Sequence, residues 1–288
     1  MILTTSLRPR DGSLFAISDL HVTTPQNRVI VEGLRSERKA DWLLVAGDIS
    51  EDINDVEWAL NLLTKRFATV VWVPGNHELW TPRHGPQQWL RGTHRYEQLV
   101  AKCRTLGVIT PEDSYPVWHG TGGPARIVPL FLLYDYTFAY KIAATKEAAL
   151  ERAWAAGVVC SDEFMLHPDP YPSRAAWCEA RVTETERRLA ECDLSVPTIL
   201  VNHFPLTEDP TRSLRRPEFA QWCGTVLTAD WHTRFNAAAV VYGHLHIPHT
   251  ARRDGVRFEE VSLGYAREWG RRGGSRALLR RILPIQEL

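Results

Sequence analysis

The sequence predicts an α/β fold, and three observations lead there. Five short apolar runs, rich in β-branched and aromatic residues, recur along the chain: LFAIS, WLLVAG, VVWVPG, TILVN and AVVYG. Runs of this length and composition read as buried strands. Between two of them, residues 51–66 carry apolar side chains at helical rather than alternating spacing. Asp19, Asp48 and Asn76, which follow the first three runs, stand 29 and 28 residues apart, the length of a strand–helix–strand step.

In chain order, strand signals fall near 14–18, 42–46, 69–73, 126–134, 198–202, 238–242 and 256–263. A helix is predicted over 51–66: Ile53, Val56, Leu60 and Leu63 share one face, and acidic residues crowd its start, where the helix dipole favours them. A second is predicted over 86–106, with Trp89, Tyr96, Leu99 and Val100 as its apolar face. A third is predicted over 173–192, with Ser173 as N-cap and Arg/Glu pairs along its surface. From Asn76 to His203 the gap is 127 residues, more than one crossover requires. Residues 1–288 are read as one domain, and the excess predicts a cap inserted within about 80–195, built from helical pieces and Pro-rich loops such as HPDPYP (167–172). A cap that starts and ends beside the strand ends is placed to select a substrate; packing against the sheet elsewhere is the alternative.

Composition narrows the class. Lys plus Arg and Asp plus Glu each number 34, so no whole-chain field favours nucleic acid or an anionic membrane. Five scattered cysteines without CxxC spacing argue against a disulfide framework or a structural zinc site, and fit a reducing compartment. No run approaches the ~18 apolar residues of a membrane span, and MILTTSLRPRDGS lacks the apolar core of a signal peptide. The cytoplasm is the expected location.

Each apolar run leads into residues that bind metals: Asp19 and His21, Asp48, Asn76 and His77, His203, and His244 and His246. In open α/β sheets, ligands gather at the carboxyl ends of strands, so these side chains are expected to meet at one edge. Asp19 and His21 are two apart, as are His244 and His246, which in extended chain puts each pair on one side. Gly47, Gly75 and Gly243 precede ligands where the chain must turn out of a strand. The donors are oxygen and nitrogen with no thiolate, which suits manganese, iron or zinc. A dinuclear site follows, with Asp48, in the middle of the order, as the best bridging carboxylate. Two ions about 3.5–4 Å apart supply hydroxide near neutral pH and clamp a phosphoryl group during in-line attack. His77, beside the cluster yet not forced to ligate, is placed to protonate a leaving alkoxide. His84, His94, His119, His167, His232 and His249 read instead as surface or structural residues.

The ordered series Asp19-x-His21, Gly47-Asp48, Gly75-Asn76-His77-Glu78, His203 and Gly243-His244-x-His246 resembles the calcineurin-like metallophosphoesterase superfamily over about residues 14–265. That resemblance implies a double β-sheet sandwich flanked by helices (αββα), and hydrolysis of phosphomonoesters or phosphodiesters. It implies Asp19, His21, Asp48 and His246 as ligands of one metal, Asp48, Asn76, His203 and His244 as ligands of the other, and His77 as the catalytic histidine. The chain departs from many members in carrying Ile49 and Ser50 after Gly47-Asp48. VPGNHELW (73–80), VPLFLLYDYTF (128–138), NHFPL (202–206) and RFEEVSLGYAREW (257–269) are similar, more narrowly, to the actinobacterial phosphopantetheinyl hydrolase group. This implies cleavage of the phosphodiester between a carrier-protein serine and 4′-phosphopantetheine.

Arg212, Arg215 and Arg216 follow His203, and Arg267, Arg271, Arg272, Arg276, Arg280 and Arg281 make the C-terminus basic, which would steer an acidic acyl or peptidyl carrier protein. A solvated tail with no partner explains the same residues. Tyr134, Asp135, Tyr136, Arg212, Arg215, Tyr265 and Arg267 are the candidate substrate contacts. A small-molecule or nucleotide phosphatase or phosphodiesterase on the same scaffold is the alternative function, and a binding module without catalysis would be expected to have lost ligands. A nuclease is disfavoured by the neutral chain.

Overall fold

A computed structural model describes residues 11–139, 143–272 and 278–285. Ten strands form among them: β1 Leu14–Ile17, β2 Trp42–Val45, β3 Thr69–Trp72, β4 Val117–Trp118, β5 Ala125–Pro129, β6 Thr198–Val201, β7 Ala237–Tyr242, β8 His249–Arg253, β9 Val256–Glu260 and β10 Arg280–Leu283. They divide into a four-stranded sheet, ordered β10-β1-β2-β3, and a six-stranded sheet, ordered β4-β5-β6-β7-β9-β8. β1 to β3 run parallel, as do β5, β6, β7 and β9. The antiparallel strands β10, β4 and β8 lie at edges.

The apolar runs are continuous because both faces of each sheet are covered. Leu14, Ala16, Leu44, Ala46 and Val71 of the first sheet share one buried cluster with Ile127, Ile199, Val201, Ala239 and Val241 of the second. The intervening residues Phe15, Ile17, Leu43, Val45, Val70 and Trp72 belong to a second cluster with residues of the helices. That split is the two-residue period of a strand. The helices are α1 Pro25–Gly33, α2 Ile53–Thr64, α3 Asn76–Leu79, α4 Gly92–Thr105, α5 Lys146–Ala155, α6 Asp162–Met165, α7 Arg174–Ala190, α8 Trp231–Arg234 and α9 Ala266–Trp269. On α2, the predicted face of Ile53, Val56, Leu60 and Leu63 is buried, and the Asp52 side chain accepts from the Asn54 N–H. On α7, Ser173 caps the Ala176 N–H at 3.1 Å. Two stacked sheets with flanking helices are the α/β architecture expected from the sequence.

Several details differ from the sequence reading. The strand expected over 126–134 stops at Pro129; beyond it Leu132 N–H donates to the Asn202 side chain instead of a neighbouring strand. The second helix starts at Gly92, so Trp89 is exposed and not part of an apolar face. Gln87 is drawn aside there, bonded to Asp52 and to the Ile53 N–H. β4 and β5 fall within 80–195 yet belong to the second sheet. Arg276 of the basic C-terminus lies outside the described residues.

Candidate metal centre

The predicted metal-binding residues converge where the carboxyl ends of both sheets meet. Asp19 N–H donates to Gly47 O at 2.9 Å and His21 N–H to Asp48 O at 3.1 Å, which holds the turns after β1 and β2 side by side. Gly243 N–H bonds His203 O at 2.9 Å, doing the same after β6 and β7. A parallel bridge between Ser18 and Ser262 then joins the two sheets at this edge. The backbone is strained where it presents these side chains. Asp19, His21, Asp48, His244 and His246 all have positive φ, five of the eight non-glycine residues that do so among those described. Such conformations cost of order 1–3 kcal/mol each and persist only where the surroundings enforce them.

Three overlapping trios of donors gather within 4.8 Å: Asp19, His21 and His246; His21, Asp48 and His77; Asp19, Asp48 and His203. His246 Nε2 is 3.0 Å from Asp19 Oδ1 and 3.2 Å from His21 Nε2. His203 Nε2 is 3.2 Å from Asn76 Oδ1 and 3.4 Å from Asp48 Oδ2. An ion with donors at about 2.0–2.2 Å would space adjacent ones ~2.8–3.1 Å apart in octahedral and ~3.3–3.6 Å apart in tetrahedral geometry, a range that spans these separations. His244 lies at the border of the cluster, its ring 5.1 Å from that of His203, and its buried Nε2 has no hydrogen-bond partner among the described residues. A buried imidazole nitrogen left unpaired beside two carboxylates also fits a metal ligand. The donor set present therefore fits a cation site, and Asp48 stands between its two halves.

The electrostatics agree. Burial, reinforced by the neighbouring imidazoles of His77 and His203, pushes His21 and His244 down to about 3, leaving neutral rings whose lone pairs are available. For His203 and His246 burial works the other way from the charge of Asp48 and Asp19, and the carboxylates win, lifting both to about 10. Burial would raise Asp19 and Asp48, but the surrounding imidazoles hold both below the usual carboxylate range. Cations placed here would take over the balancing charge from the imidazole protons.

A ring of buried and half-buried acceptors and small residues orients the donors. Glu78 receives the N–H groups of Asp48, Ile49 and Gly75 at 2.9, 2.7 and 2.9 Å, which pins the β2 turn to the β3 turn. Glu268 accepts from His246 Nδ1 at 2.7 Å and fixes the tautomer that aims Nε2 at the cluster. Ser18 and Ser262 hydroxyls both donate to Asp19 Oδ2. At Gly75 a Cβ would overlap the Asp48 carboxylate, and at Gly243 the side chains of Ser18 and Asp19.

His77 stands at the rim. Its Nε2 is 3.9 Å from Asp48 Oδ2 and its Nδ1 is 3.7 Å from Glu51 Oε2, ion-pair separations longer than direct hydrogen bonds. Burial disfavours its charged form, but Asp48, Glu51 and Asp162 outweigh it and raise its pKa. The Trp80 ring packs on it at 3.6 Å between centroids. Tyr265, half-buried, stacks on His21 at 4.4 Å. The other candidate substrate contacts are scattered. Tyr134 and Tyr136 are fully buried, Asp135 bonds Thr225 and Thr137, and Arg212 pairs with Asp209 at the surface. Arg215 and Arg267 are exposed. No motif or periodicity in the sequence marks Glu51, Glu268 or Asp162. Glu51 looks like any acid before a helix, and only its place three residues after Asp48 hinted at His77.

Comparison with known proteins identifies the relatives. The family model for calcineurin-like phosphoesterases matches residues 13–248. The acyl-carrier-protein phosphodiesterase PptH of Mycobacterium tuberculosis is 53% identical over 274 residues, covering 95% of this chain and 84% of that protein. The crystal structure of phosphopantetheinyl hydrolase (PptH) from Mycobacterium tuberculosis superposes with a TM-score of 0.94 at 52% identity, over 96% of this chain and 98% of that one. The family is one that uses divalent metals, in keeping with the candidate cluster. On the fold, the site and these matches, the chain belongs to the calcineurin-like phosphoesterase family and is a hydrolase of phosphoesters.

Proposed function

We propose that this chain is a dinuclear phosphodiesterase that releases 4′-phosphopantetheine from the serine of an acyl or peptidyl carrier protein. The observation that carries the reading is 53% identity, across 95% of the chain, to an acyl-carrier-protein phosphodiesterase. The overlapping donor trios around Asp19 and Asp48 support two ions. Asp19, His21, Asp48 and His246 would hold one, and Asp48, Asn76, His203 and His244 the other. The all-oxygen-and-nitrogen donor set favours manganese or iron, with zinc as a further choice.

When bound, such ions supply Lewis-acid polarisation of the phosphoryl oxygens and activation of a water nucleophile. The chain's own residues do the rest. Oxygen from water forms the new bond to phosphorus as the bond to the serine oxygen breaks, and a proton of that water is released to solvent. His77 holds a proton on Nε2, with Glu51 and Asp48 favouring its charged form, and gives it to the departing serine oxygen. Trp80 and His21 pack against the His77 ring and limit its movement. Tyr265 and Arg267 are proposed to line the approach, and Arg212 and Arg215 to steer an acidic carrier. The proposed cap lies within about 80–195 and includes helices α5 to α7.

Metal-loaded protein incubated with a phosphopantetheinylated carrier is expected to remove the mass of phosphopantetheine from the modified serine. An unchanged carrier, with turnover of nitrophenyl phosphates or nucleotides instead, moves the assignment to the small-molecule alternative.

A further inference from the structure

Asp162 lies on α6, 86 residues from Asn76 in sequence, and is completely buried. Its Oδ1 accepts two hydrogen bonds: from Asn76 Nδ2 at 2.9 Å and from Trp80 Nε1 at 2.6 Å. The indole N–H of Trp80 can only donate, so the atom facing it must accept. An Oδ1 that carries no proton can only accept, so Asn76 presents its NH₂ group to Asp162. The amide has one oxygen and one nitrogen, so its oxygen is then turned the opposite way, to 3.2 Å from His203 Nε2. Which end of an asparagine amide faces a cluster is ordinarily an assignment of the hydrogen-bond network. Here a donor that cannot reverse, Trp80, settles it.

We infer that Asp162 is a positioning residue for metal binding: with Trp80 it locks the Asn76 amide so that Oδ1, the only atom of that group able to ligate, faces the cation site. The inference rests on the dinuclear reading above. The same oxygen also anchors the indole that covers His77, so one carboxylate serves both the ligand and the proton donor. The helix carrying it is tied to the site through backbone. Thr81 N–H donates to Met165 O at 2.9 Å, Trp80 and Leu166 form an antiparallel bridge, and Arg174 donates to Asp162 O and Leu166 O. α6 thus clamps the inserted segment onto the turn that follows β3.

The test is Mn²⁺ titration by calorimetry, with elemental analysis at limiting metal, on wild type, Asp162→Ala, Asp162→Asn and Trp80→Phe. Asp162→Ala frees the amide to turn and is expected to weaken binding of one ion about 10–100-fold while the other is little affected. At saturating Mn²⁺ it should lower kcat more than it changes KM. Asp162→Asn keeps a carbonyl oxygen that accepts from both donors and is expected to recover most of the affinity. Trp80→Phe removes the directing N–H while leaving Asp162 intact, and is expected to give a smaller loss at the same ion, which keeps the test valid should Asp162→Ala not fold. Wild-type affinity for both ions in folded Asp162→Ala or in Trp80→Phe overturns the inference, as does an Asn variant as impaired as the Ala variant. A wild-type protein that takes up no metal would instead defeat the dinuclear reading itself.

Discussion

Glu51 places a carboxylate oxygen 3.7 Å from Nδ1 of His77, at the ring nitrogen other than the one that approaches Asp48. His77 therefore sits between two acids. Replacing Glu51 by Gln should leave metal content unchanged and lower kcat roughly tenfold, because the imidazole loses a partner that orients it and favours its charged form. His77→Ala should cost about 10²–10⁴-fold in kcat with both ions retained. Steady-state kinetics alongside elemental analysis reads both outcomes, and equal activity in His77→Ala would remove its role as proton donor.

Asp48 and Asp19 each belong to two of the donor trios, and Asp48 is the one that shares them with both His77 and His203. Asp48→Ala is expected to empty the site, leaving fewer than one ion per chain by elemental analysis. Two ions retained in that variant would contradict its role as bridge.

Gly75 lies so close to Asp48 that a methyl group there would collide with its carboxylate. Gly75→Ala should destabilise the protein by about 1–3 kcal/mol and weaken metal uptake. Gly33, at the end of α1, has open space around its missing Cβ; Gly33→Ala is expected to fall within about 1 kcal/mol of wild type. Thermal melts and metal titration of the pair separate crowding at the site from a general glycine effect.

Chelation should abolish hydrolysis, and added Mn²⁺ should restore it. Ions at a hundred times their Kd stabilise the folded state by about 2.7 kcal/mol per site. At ~2–4 °C per kcal/mol, that predicts a melting temperature ~5–11 °C lower after chelation for each site emptied. A melt indifferent to chelator would mean that no ion binds tightly.

Much of this was legible before the structure. The strands that carry donors are buried on both faces, so they appear as unbroken apolar runs, and their endings disclosed Asp19, Asp48, Asn76, His203 and His244. The edge strands were harder. β8 is HTARR, with half-exposed and exposed residues, and β10 is RRIL; neither has the pattern of a covered strand. The groups that orient the donors were invisible for another reason. Asp162 and Glu268 act through proximity created only by tertiary packing, and no periodicity marks them. Tyr134 and Tyr136 were proposed as substrate contacts from their place after a strand, whereas the structure encloses both and bonds the Tyr136 hydroxyl to Glu163 and Arg174.

The Ser18–Ser262 bridge joins two sheets that each own half of the donors: Asp19, His21, Asp48 and Asn76 come from turns of the four-stranded sheet, and His203, His244 and His246 from turns of the six-stranded one. Neither half assembles a complete cage. Ion capture would thereby report on docking: a chain in which the two layers have not met is expected to take up no metal.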